Sequence, residues 1–279
     1  MERQERAAIA QETISILQSG AYAAPNGVEI SIRERVDAAC AGTQLYPPDK
    51  LGWLMEGRDG WATFPETQFG VSNRTTLAAG QALVEEFPAL ACLNFASAKR
   101  PGGGFLNGSA AQEESLTRSS GLYATLQTQP KFYAYHRRLG SGYYSSQVIF
   151  SPDVPVFRDD AGRLLEQPWT ASFLTAAAVN AGTVRGRRRG REEKIAAAME
   201  ERIRMVLAVA AHHRRDALVL GAWGCGVFRN DPQQIASLFA KVLAETPFAN
   251  CFRHIEFAVY DPTPNQTVIT PFTKVFLWT

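Results

Sequence analysis

The sequence predicts an α/β fold, with a central sheet covered by helices on both faces and a helical and loop extension in front of it. Three observations predict this. After residue 70, short apolar runs with strand character alternate with amphipathic helical segments. Two of those runs, 89–96 and 217–220, lead into glycine-rich loops that each precede a helix. The first 70 residues lack the alternation, so the chain divides into an extension over 1–70, packed on the core, and one compact core unit over 71–279.

The elements follow in order. Residues 2–19 read as a helix with Ile9, Ile16 and Leu17 near one face and Gly20 as its stop. Residues 28–33 alternate apolar and polar, as a strand does. Residues 42–65 hold Pro47, Pro48, Gly52, Gly57, Gly60 and Pro65, which predicts mostly loop. Residues 75–87 read as a helix ended by Pro88, and 89–96 as a buried strand. A further helix begins near Ser109, where Ser109 and Gln112 fit a capping box, and runs on through Leu116, Tyr123 and Leu126. Residues 147–166 read as a strand and hairpin turning at Asp159-Asp-Ala-Gly162, with another buried strand over 172–179. Residues 192–213 carry Ile195, Met199, Ile203, Val206 and Ala210 on one helical face. The strand at 217–220 follows, then a helix capped by Asp231 with Pro232 behind it, a strand over 254–260, and an apolar stretch near Val275.

Composition excludes several classes. The chain has 279 residues, 46% hydrophobic and 20% charged, which suits a folded globular protein. A net charge of +2 gives no general case for nucleic-acid binding, and none is expected. The basic run Arg185–Arg191 fits either a solvated loop before a helix or a patch that attracts a polyanion. Cys40, Cys92, Cys225 and Cys251 form no Cys-x-x-Cys pair and have no histidine at zinc-ligand spacing. They read as reduced thiols of a cytoplasmic protein, and no metal site is expected. No apolar run approaches the roughly 20 residues of a membrane helix, and the N-terminus lacks a signal-peptide core.

Two loops carry the chemistry. The first runs from Gly102-Gly-Gly104 through Asn107 to Gln112-Glu-Glu114. Its consecutive glycines let a ligand approach the main chain, and the helix start beyond them favours an anion. Adjacent helical residues point about 100° apart, since roughly 3.6 residues complete a turn. Glu113 and Glu114 therefore do not flank one glycosidic bond from opposite sides. A division of labour follows, in which one carboxyl fixes sugar hydroxyls and the other protonates a leaving oxygen. If the two are close enough to couple, one pKa rises. Taken alone, the pair also fits a simple electrostatic preference for a helix N-terminus. The second loop, Gly221–Phe228, matches neither a P-loop nor Gly-x-Gly-x-x-Gly, yet its amides at a strand end could cradle a pyrophosphate. Phe228 fits either a rim aromatic that stacks on a base or ribose, or a core ring beside Val227. Asn94 suits a ligand contact or a turn.

Together these loops resemble the poly(ADP-ribose) glycohydrolases of the bacterial type, a family that carries Gly-Gly-Gly, a short spacer and Gln-Glu-Glu. Here seven residues separate Gly104 from Gln112, and the surrounding Asn94-Phe-Ala-Ser-Ala-Lys-Arg-Pro and Gly221-Ala-Trp-Gly-Cys-Gly-Val-Phe-Arg-Asn fit the same branch. The likeness spans about residues 5–275. It implies a macrodomain-like three-layer sandwich with a mixed central sheet. It implies hydrolysis of ribose–ribose bonds in poly(ADP-ribose), mainly from chain ends, releasing ADP-ribose without metal or other cofactor. Glu114 is then the acid/base, and Glu113 holds ribose hydroxyls. Asn94, Gly102, Gly103, Gly104, Asn107, Gln112, Gly224, Cys225, Gly226, Val227 and Phe228 form the binding set, with the Gly103 and Gly104 amides and the Gly224–Val227 loop on ribose and diphosphate. Partners are poly(ADP-ribose) chains and ADP-ribosylated proteins. A macrodomain that only binds ADP-ribose, or a hydrolase of another ADP-ribosyl linkage, are the competing readings.

Overall fold

The computed structural model describes residues 1–187 and 192–277. A helix, α1 (Arg3–Ser19), ends at Gly20 in the left-handed conformation, and a two-stranded hairpin of β1 (Ala21–Ala23) and β2 (Glu29–Ser31) leads to α2 (Arg33–Gly42). Then come β3 (Gln44–Tyr46), α3 (Lys50–Glu56), β4 (Gln68–Ser72), α4 (Thr76–Leu83) and β5 (Leu90–Phe95). Helices α5 (Gln112–Ser119), α6 (Leu122–Gln127) and α7 (Pro130–Leu139) precede the long hairpin of β6 (Val148–Arg158) and β7 (Leu164–Ala176). The chain closes with α8 (Ala181–Arg187), α9 (Glu192–His212), β8 (Ala217–Leu220), α10 (Pro232–Leu243), β9 (His254–Ala258) and α11 (Ile269–Phe276).

One seven-stranded sheet, in the order β3-β6-β7-β5-β8-β9-β4, forms the middle layer. It is mixed: β7, β5, β8, β9 and β4 run parallel, while β6 is antiparallel to β3 and β7. The period of two along β5 assigns the layers. Ala91 and Leu93 face a core shared with α3, α9, α10 and α11. Leu90 and Cys92 face a second core shared with α2, α4, α5, α6 and α7. The three-layer arrangement with helices on both faces is thus as expected. The boundary expected at residue 70 falls inside β4, so the segment before it supplies one edge strand of the sheet, β3, and the first part of the other, β4.

Several elements differ from expectation. Residues 42–65 contain β3 and α3 rather than mostly loop, because Leu54 and Tyr46 bury against the α9 layer. The strand expected over 172–179 is the second half of β7. Only that half pairs with β5; the first half pairs with β6 alone, beyond a register shift at Ser151/Val154. There the hairpin folds over the helices, with Trp169 against Gly80 of α4 and Ser120 bridged to Val156. This bridge also breaks the helix expected from 109 to 126. Ser120 and Gly121 leave the helical path, and the Gly121 amide donates to the Pro155 carbonyl at 2.9 Å. No capping box forms at Ser109, since α5 starts from Ala111 without a side-chain cap. The cap on α10 is present: Asp231 accepts from the Gln234 amide at 3.0 Å.

One buried and one half-buried histidine, His136 and His213, are held neutral. His213 stacks on Phe150 with ring centroids 3.6 Å apart and shares a 2.7 Å hydrogen bond with the Tyr46 hydroxyl. Burial, then the charges of His212 and Arg215, lower its pKa to about 4. His136 is likewise lowered to about 4, chiefly by burial. An unfolded chain takes up these protons near pH 6.5, so both groups stabilise the fold above that value and lose their contribution as pH falls toward 4. NMR titration of the ring protons is expected to show both neutral down to about pH 4; midpoints near the ordinary histidine value would contradict their burial.

Candidate active site

The parallel strands β5, β8, β9 and β4 end together, and a cavity of about 640 Å³ opens at those ends. The second glycine-rich loop and the end of the first meet there, while Gly102, Gly103 and Gly104 themselves lie outside the lining. The cavity is lined by Gln112, Glu113 and Glu114 from the start of α5, and by Gly224–Phe228 from the loop after β8. Strand ends of this kind are the usual ligand position in α/β sheets, because the loops and helix starts converge on one edge.

Glu113 points inward, with only 2% of its surface exposed. Its Oε2 accepts from the Ser97 amide at 2.7 Å and its Oε1 from Asn94 Nδ2 at 3.3 Å. Burial raises its pKa to about 8, and the Glu114 charge adds to that, while the bonds from Ser97, Asn94 and Gly102 oppose it. The coupled pair thus carries its raised pKa on Glu113. Glu114 Oε1 accepts from the Gly104 amide at 2.9 Å. The two carboxyls come together at Gly103, where a Cβ would lie 2.4 Å from Glu114 Oε1 and 3.2 Å from Glu113 Oε2.

The first loop turns its amides toward the protein. Gly103 donates to the Arg100 carbonyl at 3.1 Å and Gly104 to Glu114. The expectation that these two amides hold ribose and diphosphate is corrected: in this structure they brace the loop and orient a carboxyl. Gly103 is required here for two reasons. Its φ is +59°, and a Cβ on it would sit 2.4 Å from Glu114 Oε1.

The second loop does the opposite. Among the described residues, the amides of Gly224, Gly226, Val227 and Phe228 have no hydrogen-bond partner, whereas that of Cys225 is engaged by the Ala222 carbonyl at 3.1 Å. Four unengaged amides beside a cavity form an anion cradle. Gly224, at φ +76°, is packed so closely that a Cβ would lie 2.5 Å from Asn230 Nδ2 and 2.6 Å from the Ala178 methyl. Val227 is 80% exposed, and Phe228 lies at the rim with its ring 5.9 Å from that of Tyr144.

Other expected residues lie elsewhere. Asn94 is fully buried and outside the cavity lining; it bonds Glu113 and, at 3.1 Å, Thr175 Oγ1. Gln112 lines the cavity, but its side chain accepts from the Phe95 amide and donates to the Leu93 carbonyl and Thr76 Oγ1. Asn107 is exposed on a 3-10 turn outside the lining, because Arg3 Nε of α1 draws its carbonyl outward at 3.0 Å. Of the basic run, residues 188–191 lie outside the described residues. Arg185 pairs with Glu192 and donates to the Arg229 carbonyl.

The structure adds lining residues that sequence reasoning missed: Arg74, Lys99, Tyr144 and Tyr260. Arg74, Lys99 and Tyr260 follow the C-terminal ends of β4, β5 and β9, so position after a parallel strand was the available signal. Tyr144 had none, since its loop reaches the cavity only through tertiary packing.

Comparison with known proteins follows this geometry. Residues 10–159 match the model of the catalytic domain of microbial-type PARG. Among solved structures, the chain is similar to the poly(ADP-ribose) glycohydrolase of Thermomonospora curvata, with 48% identity over 98% of this chain and 100% of that one and a TM-score of 0.93. The same enzyme bound to the inhibitor ADP-HPD shows 48% identity over 97% and 99% of the two chains, with a TM-score of 0.90. The Deinococcus radiodurans enzyme in complex with ADP-ribose shows 43% identity over 87% and 97%, with a TM-score of 0.82. No curated protein matches.

Two outcomes are expected. Infrared titration of the Glu113 carboxyl should place its midpoint at about 8, and Asn94→Ala should raise it further, because the lost bond favours the charged form; a wild-type midpoint in the ordinary carboxylate range would refute the burial. Gly224→Ala should cost about 2 kcal/mol in urea denaturation, combining left-handed backbone strain with overpacking.

Proposed function

The chain belongs to the microbial-type poly(ADP-ribose) glycohydrolases, and from that premise we propose how its own residues cut the polymer. The enzyme hydrolyses the ribose–ribose O-glycosidic bonds of poly(ADP-ribose), and ADP-ribose occupies the cleft between the two glycine-rich loops. The observation that carries this reading is one cavity lined both by Glu114 and by the residues at 224 and 226–228, whose amides have no protein partner among the described residues.

The diphosphate lies on those amides, which supply donors without side-chain entropy. Its charge is compatible with two nearby glutamates because Glu113, raised to about 8 by burial, keeps its proton near neutral pH. Glu113, fixed by Asn94 and Ser97, holds the ribose hydroxyls. Glu114 protonates the 2′-oxygen of the neighbouring ribose as the bond from that oxygen to the anomeric carbon breaks. The oxocarbenium-like centre is stabilised by the diphosphate of its own unit. Glu114 then takes a proton from water as the water oxygen bonds the anomeric carbon, which leaves ADP-ribose and a chain one unit shorter. Phe228 packs on the adenosine side.

A cavity of about 640 Å³ suits a single nucleotide-sugar unit, which supports action mainly from chain ends. No helix among the described residues is long and apolar enough to cross a membrane, and the four free thiols support a cytoplasmic location.

Glu114→Ala is expected to lower ADP-ribose release from automodified chains about a thousandfold, the scale of general acid–base catalysis, while calorimetry still shows ADP-ribose binding. Equal turnover by variant and wild type removes Glu114 from the mechanism. Binding without turnover by the wild type would make the protein a reader instead.

A further inference from the structure

Residues 140–147, between α7 and β6, bring Tyr144 to the cleft wall beside Phe228 of the amide cradle loop, with the two ring centroids 5.9 Å apart. Tyr144 is a non-glycine residue in the left-handed region, at φ +57°. Such a conformation persists only where the surroundings over-determine it. They do so here through every neighbour of Tyr144. The Asn180 amide donates to the Gly142 carbonyl at 2.8 Å. Ser145 bonds the buried ring of His136 through its Oγ at 2.8 Å and its amide at 3.2 Å. Ser146 Oγ donates to Glu201 Oε1 at 2.8 Å. The Tyr143 carbonyl, adjacent to the strained residue, accepts from Arg202 Nη2.

Arg202 is the unusual member. It lies on α9, is 2% exposed and makes no ion pair among the described residues. Its Nε is buried without a partner, and its Nη1 meets only the Met199 sulfur at 4.0 Å. An aliphatic side chain of similar length would fill this place without taking a cation out of water. A buried guanidinium with so few partners calls for a use that packing does not supply, and among the described residues the Tyr143 carbonyl is the one oxygen it bonds. We propose that Arg202 is a positioning residue, which locks the 140–147 loop through the Tyr143 carbonyl so that Tyr144 stands as a preformed wall for the ligand facing Phe228. His136 and Glu201 fasten the residues that follow, so the loop is clamped from α7 and α9 together. This rests on the reading of the cleft as the ADP-ribose site.

The test is a double-mutant cycle with a ligand-free readout beside it. Tyr144→Ala is expected to raise KM for poly(ADP-ribose) about tenfold, the scale of one lost aromatic contact, with the larger part of the effect in KM rather than kcat. Arg202→Met should do the same, Arg202→Lys should restore part of it, and Tyr144→Ala with Arg202→Met should be no worse than Tyr144→Ala alone. Additive effects, or an unchanged KM in Arg202→Met, overturn the proposal, because a purely structural arginine does not act through Tyr144. Amide hydrogen exchange over 141–147 needs no substrate and should accelerate in Arg202→Met, or in Arg202→Lys if the methionine variant does not fold; unchanged exchange overturns the proposal as well. Wild-type protein that neither binds ADP-ribose nor cuts polymer would sink the functional reading instead, with the exchange result still deciding whether Arg202 holds the loop.

Discussion

Glu113 is a carboxyl taken out of water at the end of a central strand, and the geometry of the cleft depends on keeping it there. Burying a charge is costly unless it is neutralised or bonded. Here both remedies operate. Burial and the neighbouring Glu114 favour the protonated form, while Ser97 and Asn94 stand ready to accommodate the charged one. The bonds fix the carboxyl to β5 and to the residues just past it. Because Glu113 sits in the first turn of α5, the same bonds fix the helix start. Gln112 adds three more tethers to β5 and α4. The rotation of α5 about its own axis is thereby set, and with it the direction in which Glu114 leaves the next position.

The segment before residue 70 supports the same point from the other side. Arg3 and Arg6 of α1 grip the carbonyls of Asn107 and Gly108, at 3.0 and 2.7 Å. Thr13 Oγ1 donates to the Arg118 carbonyl at 2.6 Å, and Arg118 Nη1 reaches back to the Ser109 carbonyl. The loop between the glycines and the glutamates is therefore held between α1 and α5. An element that reads as an appendage in the sequence acts as a brace for the turn that carries Glu113 and Glu114.

Much of this was legible from residue patterns. Periodicity located α9, β5, β8 and β9, because each is amphipathic or continuously apolar over its own length. Asp231-Pro232 marked a helix start, because capping is a local event. What stayed hidden was non-local. The break at Ser120-Gly121 exists because Pro155 and Val156 arrive from a distant hairpin. The long β7 read as two pieces because half of it packs over helices rather than beside β5. β3 and α3 lie in a stretch rich in proline and glycine, whose composition signals loop even where a few residues complete a sheet edge. The Glu113–Glu114 pair was legible as a candidate, yet which carboxyl carried the raised pKa followed from burial alone.

The two glycine-rich loops show why a motif does not state its own mechanism. In sequence both offer small residues next to a helix, and both suggest exposed amides. Their amide partners separate them. At Gly103 and Gly104 the amides are consumed inside the protein, on Arg100 and on Glu114 itself. At Gly224 and 226–228, which line the cavity, the amides have no protein partner among the described residues. A glycine serves each loop for a different reason. At Gly103 it clears room for the Glu114 carboxyl, and at Gly224 it lets the chain turn against Ala178 and Asn230. The division between carboxyl and cradle is therefore a property of where each amide's partner lies, which only the folded chain determines.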